Sequence, residues 1–129
     1  MVLEKTFHLS VGREAKIIVR GHVARNRSEI VIDYEFLIRE KHDTGFREPI
    51  GPNHPQYWKL KKSTPERSQL LQLEYSGISR KQIREATREF KRAAGPGYTF
   101  RYQNEIEERT KYLKGIRVSA LSRRLLSVA

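Results

Sequence analysis

The densest group of residues able to do chemistry in this chain is cationic. Arg80, Lys81, Arg84, Arg88, Lys91 and Arg92 lie close together, countered only by Glu85 and Glu89. Ammonium and guanidinium groups at that density suit phosphate contacts, since neutralised phosphates release their counterions. They also suit a plain solvated helix face. A second group, Tyr57-Trp58-Lys59-Leu60-Lys61-Lys62, sets two aromatics beside three lysines. That combination can stack on bases while neutralising phosphates. The expectation favoured here is the other one: a short edge strand whose Trp58 and Leu60 plug the core while the lysines are solvated. A third group includes Arg123 and Arg124, within residues 109–124, which hold six basic residues and no acidic one.

Catalytic constellations are weaker. Glu14-Ala15-Lys16 has the carboxylate-x-lysine spacing of some metal-dependent nucleases, but only Glu4 and no Asp precedes it to share a metal. His42-Asp43 and His54 lack the spaced partners of a metal site. Asp33 and Glu35 point away from the expected core, and Asp33 is expected to pair with Arg20. No glycine-rich phosphate loop or serine-nucleophile elbow is present. No catalytic residue, metal ligand or cofactor is therefore expected.

Composition sets the same bounds. The chain has 129 residues, 37% hydrophobic and 32% charged, enough for one domain with a modest core and little more. With no cysteine, disulfides, thiolate catalysis and cysteine-rich zinc sites are excluded. The opening residues Met1–Thr6 lack the apolar run of a secretory signal, and no stretch approaches the roughly 20 apolar residues of a membrane span. A soluble protein of the reducing cytoplasm is expected. The net charge of +11 is uneven. Residues 1–40 carry seven Lys/Arg against six Asp/Glu, whereas residues 41–129 carry nineteen against nine. A neutral front that builds a scaffold and a basic back that meets something acidic would divide in this way.

The elements that must position these groups are legible in part. Residues 15–23 and 30–38 alternate apolar and polar with period two, which predicts two strands. Pairing around a two-residue Asn26-Arg27 turn places Val23 opposite Ile30, Val19 opposite Tyr34, Ile17 opposite Phe36 and Arg20 opposite Asp33. All the apolar pairs then share one face, and a slip by one residue would mix the faces. Thr6–Val11 alternates likewise. A loop through Gly12-Arg13-Glu14 would set Leu9 against Ile17 and Phe7 against Val19.

From Lys41 to Lys62 the pattern lapses, interrupted by Gly45, Pro49, Gly51, Pro52 and Pro55, which predicts a long loop. Thr64 then offers an N-cap with Pro65 at the first helical position, and Leu70, Leu71 and Leu73 a buried side. The helix ends near Ser76-Gly77. Ser79 and Gln82 form a capping box, Ile78 and Ile83 a hydrophobic staple, and Ile83, Ala86, Phe90 and Ala93 a stripe at helical spacing. Tyr98–Tyr102 reads as a strand with three aromatics on one face. Asn104 with Glu107 predicts a further helix. From Gly115 to Ala129, Leu121, Leu125 and Val128 keep helical spacing, in a tail able to dock on a partner or pack back on the sheet.

The segment around Gly77-Ile78-Ser79 is similar to a DNA-binding helix-turn-helix unit in its glycine turn and in its capped, basic second helix. The first helix departs from that pattern at Leu73, Gln72 and Ser76.

The reading is one α+β domain over residues 1–129: a β-meander over 1–40, a long loop over 41–62, and a basic, mainly helical part over 63–129. Its fold is a three- to four-stranded antiparallel meander covered on one face by two to four helices. Its expected function is a basic binding module for RNA or DNA. The phosphate contacts would come from the helix beginning at Ser79 and from the basic tail with Arg123 and Arg124, and Lys59, Lys61 and Trp58 are further candidate nucleic-acid-binding residues. The alternative is a protein-interaction or self-associating module with no nucleic-acid role and no catalysis.

Overall fold

The computed structural model describes residues 1–104. Alternating sequence gives β1 (Val2–Ser10), β2 (Arg13–Val23) and β3 (Glu29–Glu40), which pair antiparallel in the order β1-β2-β3. The β2–β3 register has Val23 opposite Ile30, Val19 opposite Tyr34, Ile17 opposite Phe36 and Arg20 opposite Asp33, as the facial argument requires. The turn itself is wider than expected. Ala24 N–H donates to the Glu29 carbonyl at 2.8 Å, and Arg27 takes the left-handed conformation (φ 60°). Asn26 serves as an acceptor, its side-chain oxygen receiving the N–H groups of Ser28 and Glu29, each at 3.1 Å.

The β1–β2 pairing differs from the expected register by four residues. Phe7 faces Ala15 and Leu3 faces Val19, because a tight Val11-Gly12 turn with Gly12 at φ 76° sets Ser10 opposite Arg13 and the register then shifts by one between Ser10 and His8. A shift of four keeps the same side chains on the same face, so alternation alone cannot distinguish the two registers.

Three helices follow: α1 (Tyr57–Lys61), α2 (Pro65–Ser76) and α3 (Arg80–Ala94). Thr64 caps α2, accepting from Arg67 N–H at 3.3 Å, and Gly77 closes it in the left-handed conformation. α3 carries the full capping box, with Gln82 N–H donating to Ser79 Oγ at 3.1 Å and Ser79 N–H to Gln82 Oε1 at 2.9 Å. Finally β4 (Thr99–Tyr102) joins the far side of β3, and it runs parallel to it. The result is a mixed, mostly antiparallel four-stranded sheet with three helices, an α+β arrangement. The predicted helix following Asn104 and the tail from Gly115 to Ala129, with Arg123 and Arg124, lie outside the described residues.

The core fills one face of the sheet. Ala15, Ile17, Val19, Ile30, Ile32, Tyr34, Phe36 and Ile38 from the strands meet Leu70 and Leu73 of α2 and Ile83, Ala86 and Phe90 of α3. Each large apolar side chain among them contributes roughly 1.5–3 kcal/mol when taken fully out of water. On α3 the expected stripe is corrected at its end: Ala93 is exposed, while Thr87 is buried and Ala94 packs against the core. Thr87 gives its hydroxyl proton to the Ile83 carbonyl (2.7 Å), so in the 2.6 Å contact between the two hydroxyls Tyr34 donates to Thr87.

The connector over 41–56 is more tied down than its composition suggests. Ile38 and Arg47 exchange two backbone hydrogen bonds at 2.8 Å, and Ile50 is fully buried. Gln72 of α2 holds Ile50 reciprocally, accepting its N–H at 2.8 Å and donating to its carbonyl at 3.0 Å. Asp43 Oδ2 accepts from Glu40 N–H at 2.7 Å and from Arg47 Nε at 3.1 Å. The Glu40 N–H, with the Arg47 guanidinium in support, holds the Asp43 carboxyl below the usual aspartate range against the opposing effect of desolvation.

Candidate nucleic-acid interface

The sheet's outer face and the helical side differ in how their charges are partnered. On the outer face the cations sit beside carboxylates. Lys16 pairs with Glu4 at 2.9 Å, Arg20 with Glu35 at 2.7 Å and Arg101 with Glu29 at 3.2 Å, and Arg39 is bonded to Glu14. Arg20 thus bonds Glu35 and not Asp33, its register partner. Asp33 instead accepts from Gln69 Nε2 of α2 at 2.9 Å. Phe46 lies against Lys16 and Arg39, with the cations 4.4 and 4.7 Å from its ring centre. These pairs add little stability, about 0–1 kcal/mol each, but they leave the face locally neutral.

α3 is built otherwise. Its apolar stripe is committed to the sheet, and Lys81, Arg84, Arg88 and Arg92 are exposed on the rest of its surface. Arg84, Arg88 and Arg92 follow one another at i, i+4, so they share a face, and Lys81 stands three residues before the first of them. At 1.5 Å per residue the row extends about 16 Å. Among the described residues Lys81, Arg88 and Arg92 form no ion pair with a carboxylate. Glu89, one of the two acidic residues of α3, pairs with Lys5 of β1 at 2.5 Å. That hydrogen bond, with Glu85 nearby, raises the Lys5 pKa above its ordinary value.

Arg92, in the last turn, suits the negative end of the helix dipole, but the rest of the row works against its own helix. Like charges at i, i+4 destabilise by roughly 0.2–0.5 kcal/mol per pair. The first turn holds no acidic residue to meet the positive end of the helix dipole. An anionic partner along the row would relieve both penalties.

The remaining expected contact residues are distributed as follows. Arg80 is half-buried at the start of α3. Lys91 is turned away from the row, its ammonium 5.2 Å from the ring centre of Phe100 and 5.4 Å from that of Tyr102. Those two rings are half-buried beneath it, and Tyr102 stacks on Tyr34. Lys59 and Lys61 are exposed on α1. Trp58 is not a core plug: the expected edge strand is a helix, and the indole is 60% exposed. A cleft of about 400 Å³ lies beside it, lined by Lys59, Lys62, Arg67, Leu70, Leu71 and Glu74 among others. Arg67 went unrecognised in the sequence. It lies beyond Pro65 on another helix, and only tertiary packing brings it to Trp58. Another cleft, of about 480 Å³, is lined by Asp33, Glu35 and Glu48 and, among the described residues, by no lysine or arginine, a poor match for a phosphate.

The helix-turn-helix likeness stops at local sequence. α2 packs over β3, and α3 over β1 and β2, so each helix uses the sheet as its support. Ser76 is fully buried, its hydroxyl donating to the Leu73 carbonyl at 2.6 Å and accepting from Ile78 N–H at 3.1 Å. His54 Nδ1 accepts from Gln56 N–H at 3.0 Å, and its ring meets Tyr75 edge-on. Among the described residues no group of three His, Asp or Glu could hold a metal ion, and no helix is long and apolar enough to cross a membrane.

Comparison of the chain with protein-family models, with curated proteins and with solved structures finds no match.

Proposed function

We propose that this protein is a nucleic-acid-binding module whose phosphate contacts come from the outward row of α3, Lys81, Arg84, Arg88 and Arg92. The observation that carries this reading is the segregation of charge: the cations of the outer sheet face lie beside carboxylates, whereas Lys81, Arg88 and Arg92 stand exposed on a helix whose apolar side is docked. Exposure of long cationic side chains from a fixed helix favours a polyanion, since each phosphate neutralised releases counterions to solution.

The test is fluorescence anisotropy of labelled single-stranded RNA, single-stranded DNA and duplex DNA against the nuclease-treated protein across a salt series. Affinity is expected to fall linearly on a log–log plot. R88E/R92E should weaken every ligand and flatten the slope by about 2, one for each phosphate that is no longer neutralised. Absence of binding at low salt would refute the reading. Self-association or protein capture that ignores salt and survives R88E/R92E would favour the interaction-module alternative.

A further inference from the structure

We infer that Trp58 is a stacking platform for an unpaired base, so that the preferred ligand is single-stranded nucleic acid. This rests on the phosphate-binding reading of α3 and adds a second, chemically different subsite to it.

A large aromatic side chain left 60% exposed is the first observation, because an indole offers a broad apolar face that gains much by being covered. The ring is also held. α1 is a single short helix, but it is fastened at its end by Ser63 Oγ, which donates to the Lys59 carbonyl at 2.7 Å. Ser68 Oγ of α2 donates to the Leu60 carbonyl at 3.1 Å. Leu60 turns to the other side and lines the acidic cleft, which orients Trp58 outward. The Lys62 ammonium lies 5.7 Å from the indole ring centre, an i, i+4 contact that favours one orientation of the ring.

The surroundings choose the occupant. The cleft beside Trp58 takes apolar surface from Leu70 and Leu71 and positive charge from Lys59, Lys62 and Arg67, with Glu74 as its acidic member. A planar apolar platform among three cations matches a base with its flanking phosphates. A paired base is stacked inside its duplex and offers no free face, whereas a single strand can splay its bases onto an aromatic ring.

Trp58 is the only tryptophan in the chain, so its emission reports this contact without a label. Oligonucleotides of matched length, as single-stranded RNA, single-stranded DNA and duplex DNA, are titrated into the full chain, following emission and anisotropy together. The single strands should quench Trp58 along the same isotherm as the anisotropy, and the duplex should not. Separate RNA and DNA arms identify which single strand is preferred. W58A should weaken single-strand binding about 5- to 150-fold, the range expected for removal of one stack, and leave duplex affinity unchanged. W58F, which keeps a ring, should weaken it less. Equal affinity for single strands and duplex, without quenching and with W58A neutral, would overturn the inference while R88E/R92E still upheld the role of α3. Failure of all three ligands to bind would overturn both.

Discussion

Gly21 sits near the end of β2, opposite Ile32, in no turn and without a left-handed backbone. Its role is set by what lies over it. A Cβ added there would stand 2.4 Å from Phe90 Cζ, 2.9 Å from Phe90 Cε1 and 2.8 Å from Ile30 Cγ2. Carbon atoms in contact settle at about 3.5–4.0 Å, so Gly21→Ala requires Phe90 to retreat by about 1 Å. Phe90 is fully buried, and its ring has no free end to swing aside. Overpacking of this kind costs about 1–3 kcal/mol. The gain from replacing a strand glycine by alanine offsets roughly 0.5–1 kcal/mol of that. A net loss centred on about 1 kcal/mol, within a range of about 0–2.5, is expected, which for a chain of 129 residues lowers Tm by roughly 4 °C per kcal/mol. Urea unfolding followed by far-UV circular dichroism reads it as a lower midpoint with an unchanged m-value. In an F90L background, which frees space at the same spot, G21A should cost less, with a coupling of about 0.5–3 kcal/mol. If G21A is as stable as the native protein and the two changes also add without coupling, α3 does not approach β2 as closely as argued. The docking that presents its cationic row would then be wrong.

Ser79→Ala removes the α3 cap by deleting the hydroxyl that accepts from Gln82 N–H. A destabilisation of about 1 kcal/mol is expected in the same urea assay, and a neutral outcome would mean that sheet packing alone holds the helix start. Asp43→Asn bears on pH. The carboxyl is held below its unfolded pKa, so its contribution is fully present above the ordinary aspartate range and disappears as pH falls through the lower, folded value. The native protein should therefore lose stability across that acidic window, and D43N should be less stable at neutral pH with a shallower decline below it. Parallel acid-unfolding curves for the two proteins would refute the role assigned to Asp43.

Much of the scaffold was legible because its signals are local. The capping box at Ser79 and Gln82 depends on residues three apart, and the structure realises both of its hydrogen bonds. The β2–β3 register follows from which side chains must share a face, a constraint that a one-residue slip violates everywhere. The same logic failed for β1 and β2, where the two registers differ by an even number and the face cannot choose between them. There the Val11-Gly12 turn and the one-residue shift between His8 and Ser10 decided together. Arg20 shows a similar limit, since register placed it opposite Asp33 but a long guanidinium reaches the diagonal Glu35. The parallel entry of β4 depends on where three intervening helices return the chain, which no local pattern carries.

The candidate site divides the same way. Sequence alone established a basic α3 with one apolar stripe, because helical periodicity sorts charged from buried positions without reference to the rest of the chain. It could not say that Lys91 would turn toward Phe100 and Tyr102 while Arg88 and Arg92 stayed outward, since that depends on β4 lying beside α3's end. Nor could it place Trp58. An isolated five-residue helix is too short to form by its own propensity, so α1 exists only through its contacts with α2, and the favoured expectation put the indole in the core. What the sequence by itself determined was the alternation, the caps and the amount of charge. Which cations meet carboxylates, which meet aromatic rings and which face water was decided only by the tertiary structure, because those pairings join residues far apart in the chain.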